Sequence, residues 1–107
     1  MKQLHNNIFP WFGLEFMNVC GILFIKNGAK VTDKIINHES IHTEQMKEML
    51  YIFFYLWYVI EWLLRSIVSP WTGGDPYTDI LFEQEAYEND DNLDYLKTRK
   101  RFAWLKL

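Results

Sequence analysis

The pattern of apolar and polar positions changes along the chain, and its first part favours strands. Residues 20–25 form a short apolar run that is followed by Asn-Gly at positions 27–28. Asn-Gly between two strand-forming runs is the strongest short hairpin signal, because both residues tolerate positive φ. The pattern therefore predicts a small antiparallel hairpin of residues 21–26 with 29–32. Residues 1–13 are expected to be irregular, with core anchors at Ile8, Phe9, Trp11 and Phe12.

The middle of the chain predicts helix. Thr32 and Asp33 are N-cap residue types, and neither Gly nor Pro occurs in residues 34–69. A helix is therefore expected to begin near Asp33. Residues 49–60 are apolar or aromatic without interruption. The pattern leaves open whether one helix continues through this run or bends near Met49 to form a helical hairpin.

The apolar run is expected to be a buried central helix rather than a membrane span. Spanning a bilayer needs about 20 apolar residues, and runs of 10–14 are more often buried core helices. Extending the run to residue 68 brings in Glu61 and Arg65, which stand at i,i+4 and can pair on one helix face. Membrane contact through residues 49–68 is the alternative, because the Tyr and Trp residues of this stretch also suit a membrane interface.

The last third of the chain predicts a loop and further helices. Residues 69–76 contain two Pro and a Gly pair, which indicates a loop. Its last two residues, Asp-Pro, are typical of the N-cap and first position of a helix, here ending near residue 89. Residues 93–99 can form another short helix. The fold class is thus mainly α with a small N-terminal β-hairpin (α+β), in a single domain of residues 1–107.

Charge is distributed unevenly along the chain, although the net charge is only −3. Eight acidic residues and no cation occupy positions 69–96, whereas five basic residues and no acid occupy positions 97–107. Five cations are too few to predict nucleic-acid binding. The two segments are therefore expected to neutralise each other in the fold, with Phe102 and Trp104 folding back onto the body.

The cysteine count and the N-terminal sequence indicate the cellular setting. Cys20 is the single cysteine, which excludes an intrachain disulfide and a Cys-rich zinc ribbon. The N-terminal residues lack the long apolar region of a secretory signal. We therefore expect a reduced, cytoplasmic setting, with membrane association as the alternative already noted.

One pentapeptide carries the candidate chemistry. His38-Glu39-Ser40-Ile41-His42 has the form H-E-x-x-H, and side chains at i and i+4 of a helix lie one turn apart on the same face. The two histidines can thus present imidazole nitrogens to one metal ion. Glu39 is rotated away from that pair but can reach a water whose pKa a zinc ion lowers towards about 7. The alternative is that both histidines merely lie on a solvated helix face.

A catalytic zinc usually has three protein ligands and one open position. No His follows His42, so the third ligand is expected to be a carboxylate or His5. Glu83 and Glu85 lie on the helix predicted to end near residue 89. They are about 200° apart on an ideal helix, so only one of them can face the metal. The alternative is that both belong to a solvated acidic face.

At these residues the chain resembles the gluzincin zinc peptidases. In that family a glutamate on a later helix completes the H-E-x-x-H site, in the pattern E-x-x-A-D or E-x-x-x-D. Residues 83–87 match it with Glu83 at the ligand position, Ala86 at the small position and Tyr87 where relatives carry an aspartate. That aspartate braces a ligand histidine, so the resemblance implies a different brace here. In size the chain is similar to the minigluzincins and to small uncharacterised bacterial H-E-x-x-H proteins.

The resemblance implies a hydrolase of the zinc metalloprotease class, acting on a peptide or protein substrate. The metal ligands would be His38, His42 and Glu83, on a zincin-like pair of helices. Glu39 would act as general base and then pass the proton to the leaving amine.

Two points stay open in the sequence. No motif identifies the group that stabilises the transition-state oxyanion, for which Tyr77 and Tyr87 are the candidates. The competing hypothesis is a non-catalytic helical binding module, either metal-stabilised or membrane-associated through residues 49–68. The intact Glu39 favours the enzyme, because a purely structural site does not need it.

Overall fold

The computed structural model describes residues 1–7 and 14–106, and its first elements form a three-stranded sheet. The strands are β1 (Lys2–Asn6), β2 (Phe16–Val19) and β3 (Ile22–Lys26), in the order β1-β3-β2. β3 pairs in parallel with β1 and antiparallel with β2. Apolar side chains of β3 alternate between the two faces of the sheet, and Leu23 and Ile25 are fully buried. The small N-terminal sheet and the predominance of helix confirm the predicted fold class.

The hairpin lies one turn earlier than the sequence pattern predicted. β2 and β3 are joined by Cys20 and Gly21, whose φ angles of 52° and 90° are both positive, as a two-residue type I′ turn requires. The predicted pairing of residues 21–26 with 29–32 is wrong, because Asn27-Gly28 instead ends β3. The turn at Asn27-Gly28 is closed by the Ala29 N–H, which donates to the Lys26 carbonyl at 3.0 Å. The chain then continues into the first helix.

The prediction of an irregular N-terminus is also wrong for part of that segment. Residues 2–6 form β1, which gains regular structure only by pairing with β3 about 20 residues later. Such a non-local pairing leaves little local signal in the sequence. The predicted core anchors Ile8, Phe9, Trp11 and Phe12 lie outside the described residues.

The first helix begins as predicted. Helix α1 (Asp33–Glu48) is capped by the Thr32 hydroxyl, which accepts a hydrogen bond from the Ile35 N–H. The bend left open near Met49 is present, because Leu50 and Tyr51 adopt φ of 52° and 60°. A positive φ costs a non-glycine residue on the order of 1 kcal/mol. A hydrogen bond of 2.7 Å from the Tyr51 N–H to the Met46 carbonyl helps to offset it.

The second helix, α2 (Ile52–Thr72), turns back against α1. It runs through Pro70, so the loop predicted to begin at residue 69 starts four residues later, at Gly73 with φ of 72°. Proline removes the N–H that would bond to the Ser66 carbonyl. The Ser69 hydroxyl donates to that carbonyl at 3.3 Å instead, which makes the substitution tolerable near the helix end.

The prediction that this apolar stretch is a buried central helix is wrong. Phe54 is the only buried residue of α2. The helix is long and apolar enough to cross a membrane by length and composition, and only 6% of its most apolar window is buried. In the described part of the chain, most side chains of this helix are thus left exposed.

Helix α3 (Leu81–Asn89) begins later than its predicted start at Pro76. Asp75 caps a turn rather than a helix, since its carboxylate accepts from the N–H groups of Tyr77 and Thr78. A one-turn helix α4 (Tyr95–Thr98) and a 3₁₀ turn (Ala103–Lys106) complete the described chain.

The tail folds back onto the body, as expected. Trp104 is 1% exposed, with its ring 4.6 Å from Phe82 and 5.0 Å from Trp57 between centroids. It therefore closes the core between α2 and α3.

Replacement of Trp104 by Ala should lower the free energy of unfolding by about 3–5 kcal/mol, because it empties a site filled by a large buried aromatic side chain. The matched control is Leu105→Ala. Leu105 is the sequence neighbour of Trp104 but is 54% exposed, so the free energy of unfolding should change by no more than about 0.5 kcal/mol. Urea unfolding of the metal-free proteins measures both. Equal destabilisation by the two changes would contradict the placement of the tail.

Candidate metal centre

Three donor atoms from two helices converge between α1 and α3. The Nε2 atoms of His38 and His42 are 3.2 Å apart on one face of α1. The Glu83 Oε1 atom of α3 lies 3.0 Å from the His42 Nε2 and 3.3 Å from the His38 Nε2. In a tetrahedral site with bonds of about 2.1 Å, donor atoms stand about 3.4 Å apart. The three donors therefore form a group that can hold a metal ion.

The other two candidates for the third ligand lie elsewhere. Glu85 is fully buried on the opposite side of α3, where its carboxylate accepts hydrogen bonds from Arg99, Gln45 and Tyr95. His5 is exposed on β1. Among the described residues, Glu83 is thus the carboxylate that completes the histidine pair.

Burial and charge determine how the centre holds protons when no metal is bound. Burial opposes a charge on His42, but the hydrogen bond and negative charge of Glu83 outweigh it and raise the pKa of His42 to about 9. Burial alone would raise the pKa of Glu83, yet the hydrogen bonds from His38 and His42 lower it well below its usual range. Without a metal, the centre is therefore a carboxylate paired with an imidazolium, and a cation that binds there must displace that proton.

Each donor is oriented by a second hydrogen bond. The His38 Nδ1 lies 3.0 Å from an Asp90 carboxylate oxygen, and the His42 Nδ1 lies 2.8 Å from the Gln45 Oε1. Both Nδ1 atoms can donate to these acceptors, which leaves the Nε2 lone pairs free for a metal. The other oxygen of Glu83 accepts from the Tyr58 hydroxyl at 2.7 Å.

Asp90 supplies the charged hydrogen-bond acceptor for His38 that Tyr87 cannot supply. It follows Glu83 by seven residues, which is two helical turns on the same face, so helical periodicity could have identified it. The Asn37 amide holds this end of α3 by donating to the Asp90 carbonyl at 2.9 Å and to the carbonyls of Asn89 and Asn92. Tyr87 packs edge-on against the His38 ring, at 4.6 Å between centroids.

A buried polar network behind the ligands joins α1, α3 and the tail. The Gln45 amide that faces His42 also donates to the Phe82 carbonyl at 3.0 Å and to Glu85 at 2.9 Å. Arg99 in turn bridges Glu85 and Glu48. The Arg99–Glu85 pair confirms that the acidic segment and the basic tail compensate each other's charge at this point. Gln45 connects the candidate ligand His42 with the core.

A cleft of about 460 Å³ opens beside the centre. Glu39, His42 and Glu83 lie on one side of it, with β2 and the rings of Tyr58 and Tyr77 around the rest. The Glu39 carboxylate makes no hydrogen bond to any residue that the structure describes, although its charge helps to raise the pKa of His42. A carboxylate without a hydrogen-bond partner in the described part of the chain therefore lines the cleft next to the donor atoms.

The two tyrosines considered at the oxyanion position flank the centre differently. Tyr77 lines both the main cleft and a smaller opening on the His38 side, whereas Tyr87 lines only the smaller one. Burial and the nearby charge of Glu83 raise the pKa of Tyr77. Its hydroxyl therefore keeps its proton at neutral pH and can act as a neutral donor.

Comparison with protein-family models, curated proteins and solved structures found no match for this chain. A functional assignment therefore depends on the chemistry of the centre itself.

Metal binding should release a proton and become stronger as the pH rises to about 9. The free centre holds a proton on His42 below that pKa, and the ion must displace it. Isothermal titration with Zn²⁺ or Co²⁺ at pH 7.5, in buffers of different ionisation enthalpy, should give about one proton released per ion. The affinity should rise about tenfold per pH unit between pH 7 and 9. An affinity that is constant above pH 7 would show that His42 is already neutral.

Asp90→Asn should weaken metal binding about 10–100-fold while leaving the fold intact, because it removes the charge that supports His38. Tyr87→Phe is the matched control, since it keeps the ring against His38 and removes only the hydroxyl. A competition titration with a chromophoric chelator measures both affinities. If Tyr87→Phe weakens binding more than Asp90→Asn, the assignment of the brace is wrong.

Proposed function

We propose that this protein is a zinc-dependent peptidase of the gluzincin type, with His38, His42 and Glu83 as the metal ligands and Glu39 as the general base. The observation that carries the proposal is the convergence of three donors beside a cleft that is also lined by Glu39, whose carboxylate makes no hydrogen bond to any described residue. Two histidines and one glutamate are a ligand set typical of catalytic zinc in peptidases. A structural zinc site would instead have four protein ligands.

The residues around the centre have separate roles in the proposed reaction. A bound zinc ion would supply Lewis acidity, polarising a carbonyl and lowering the pKa of a water molecule. Glu39 takes a proton from the attacking water and delivers it to the leaving amine. Tyr77 donates its hydroxyl proton in a hydrogen bond to the developing oxyanion. Asp90 and Gln45 keep the histidine rings in the orientation that binding requires.

The edge of β2 supports an extended peptide as the substrate. The Glu15 carbonyl accepts from the Lys26 N–H beside the β2–β3 pair, so by alternation the main-chain groups of Phe16 and Asn18 face the outer edge of β2, where no described strand pairs. The Asn18 carbonyl accordingly accepts from the Tyr55 hydroxyl. The N–H and C=O of Phe16 face the cleft side of the same edge and can pair with a substrate strand.

The strand is also held in place relative to the general base. The Asn18 side chain donates to the Glu39 carbonyl at 2.9 Å and contacts the Thr43 hydroxyl. A peptide paired with β2 would therefore lie at a fixed distance from the first turns of α1. Apolar side chains of the cleft, among them Met46 and Phe54, favour substrates with an apolar residue next to the cleaved bond.

A second candidate function is a non-catalytic module that binds a partner or a membrane through α2. The exposure of that helix favours it. In this case the metal centre would stabilise the contact between α1 and α3 without turnover.

Glu39→Gln should retain zinc and the fold but reduce peptide cleavage about 10²–10⁴-fold, because it removes the base without removing a ligand. Glu44→Gln is the control on the same helix, since the Glu44 side chain is 42% exposed and pairs only with Lys47 among the described residues. Metal content by mass spectrometry and cleavage of a mixed peptide pool measure both proteins.

The outcomes separate the two candidate functions. Undiminished cleavage by Glu39→Gln would refute the role of Glu39. Stoichiometric zinc in all three proteins with no cleavage by any of them would favour the non-catalytic module. Loss of zinc from Glu39→Gln would mean that Glu39 is a ligand rather than a base.

A further inference from the structure

The outward face of α2 is apolar along its whole length. At 100° per residue, eight residues fall within a 100° sector that points away from the body. All eight are exposed, and those other than Pro70 are between 48% and 81% exposed: Ile52, Phe53, Leu56, Ile60, Leu63, Ile67, Pro70 and Trp71. No charged or hydroxyl-bearing side chain falls within the surrounding half of the helix circumference. The face is about 31 Å long, from 21 residues at 1.5 Å each.

The polar groups of α2 face the opposite way, towards the protein. Glu61 pairs with Arg65 at 2.8 Å and accepts from the Leu81 N–H at 3.0 Å. Tyr58 bonds to Glu83 in the metal centre. A surface helix in water has the reverse arrangement, with apolar residues inward and polar residues outward. The outward face of α2 is therefore suited to an apolar environment.

The exposed apolar area of this face is larger than that of the apolar patches ordinarily found on monomeric proteins. Eleven large apolar residues on the outward half of α2 are exposed. Each of these side chains has a surface of about 200 Å², and roughly half of it is exposed. Together they expose on the order of 1,000 Å² of apolar surface, whereas the largest apolar patch on a typical monomer is about 300–600 Å².

A second copy of the chain would cover only part of this surface. Two packed helices meet along a seam of about two residues in seven, whereas the outward face occupies half of the circumference. A dimer through α2 would leave most of the exposed area in water. A lipid bilayer covers a broad convex face evenly, and it needs no matching pockets.

We propose that α2 lies in the plane of a membrane interface, with its outward face in the acyl-chain region of a lipid bilayer. A crossing orientation does not fit, because α1 and α3 pack along the inner face from Phe54 to Glu61 and would carry buried ionic groups into the hydrocarbon. The outward face has no Lys or Arg and the net charge is −3. Binding therefore depends on apolar insertion and not on anionic lipids.

The test is flotation of the full chain with phosphatidylcholine vesicles, which lack net charge. The triple variant Ile60→Gln, Leu63→Gln, Ile67→Gln should bind at least 100-fold more weakly than the wild type, because each change removes an apolar side chain from the lipid contact. The matched control is Leu4→Gln, Leu93→Gln, Leu105→Gln, which changes three residues that are 40–56% exposed elsewhere. It should bind like the wild type.

Any of three results would overturn the proposal. The first is the absence of vesicle binding by the wild type. The second is an equal loss of vesicle binding in the two triple variants. A wild-type dimer that the α2 variant dissociates, without vesicle binding, would assign the face to a second copy. Circular dichroism of the variants confirms that they remain folded, which is expected because all six positions are exposed.

A depth measurement tests the orientation. A fluorophore attached at Ile52→Cys or at Trp71→Cys, in a Cys20→Ser background, should be quenched equally by lipids brominated near the headgroup end of the acyl chain. Strong quenching at one position and none at the other would exclude the in-plane arrangement. In the absence of vesicles, the α2 triple variant should keep the metal content and the soluble-peptide cleavage of the wild type, because its three side chains are exposed and lie away from the cleft. Failure of the proposed peptidase activity and failure of membrane binding can therefore be told apart.

Discussion

The burial of the Glu83 carboxylate is the constraint on which the rest of the structure depends. Its side chain is 3% exposed, and a buried charge without partners costs several kcal/mol. The compensating donors are His38 and His42 from α1 and Tyr58 from α2. Because these groups come from three separate helices, α1, α2 and α3 must meet at one point. The bend at Leu50 and Tyr51, with its strained backbone, is what brings α2 to that point.

Helix α3 lies between two buried ionic centres that face opposite sides. Glu83 belongs to the metal centre, whereas Glu85 pairs with Arg99 and, through it, with Glu48. Gln45 contacts both centres, since its amide faces His42 on one side and Glu85 on the other. The rotation of α3 is therefore fixed from both sides, and the C-terminal segment contributes to that fixation. This gives the tail a role in positioning Glu83 without contact to the donor atoms.

Local patterns in the sequence were sufficient for the parts of the site that lie within one helix. The pair His38 and His42 follows from i,i+4 spacing, and the choice of Glu83 followed from the family resemblance. Asp90 was overlooked although its spacing of seven from Glu83 was visible. The partners that depend on tertiary structure could not be predicted. Tyr58 reaches the centre only through the bend at Leu50 and Tyr51, and β1 exists only by pairing with β3.

The burial of α2 was mispredicted for a different physical reason. An uninterrupted apolar run such as residues 49–60 gives the same sequence pattern in a protein core and at a lipid surface, so the pattern does not decide what covers it. The packing decides, and among the described elements α1, α3 and the 3₁₀ turn cover only one face of a helix about 31 Å long. The inner face of that helix carries Tyr58 to the metal centre, while the outer face is apolar throughout. If α2 docks on a membrane as proposed, the bilayer would restrain this helix and with it the Tyr58 hydroxyl that orients Glu83. Lipid contact and metal affinity would therefore be coupled through one helix.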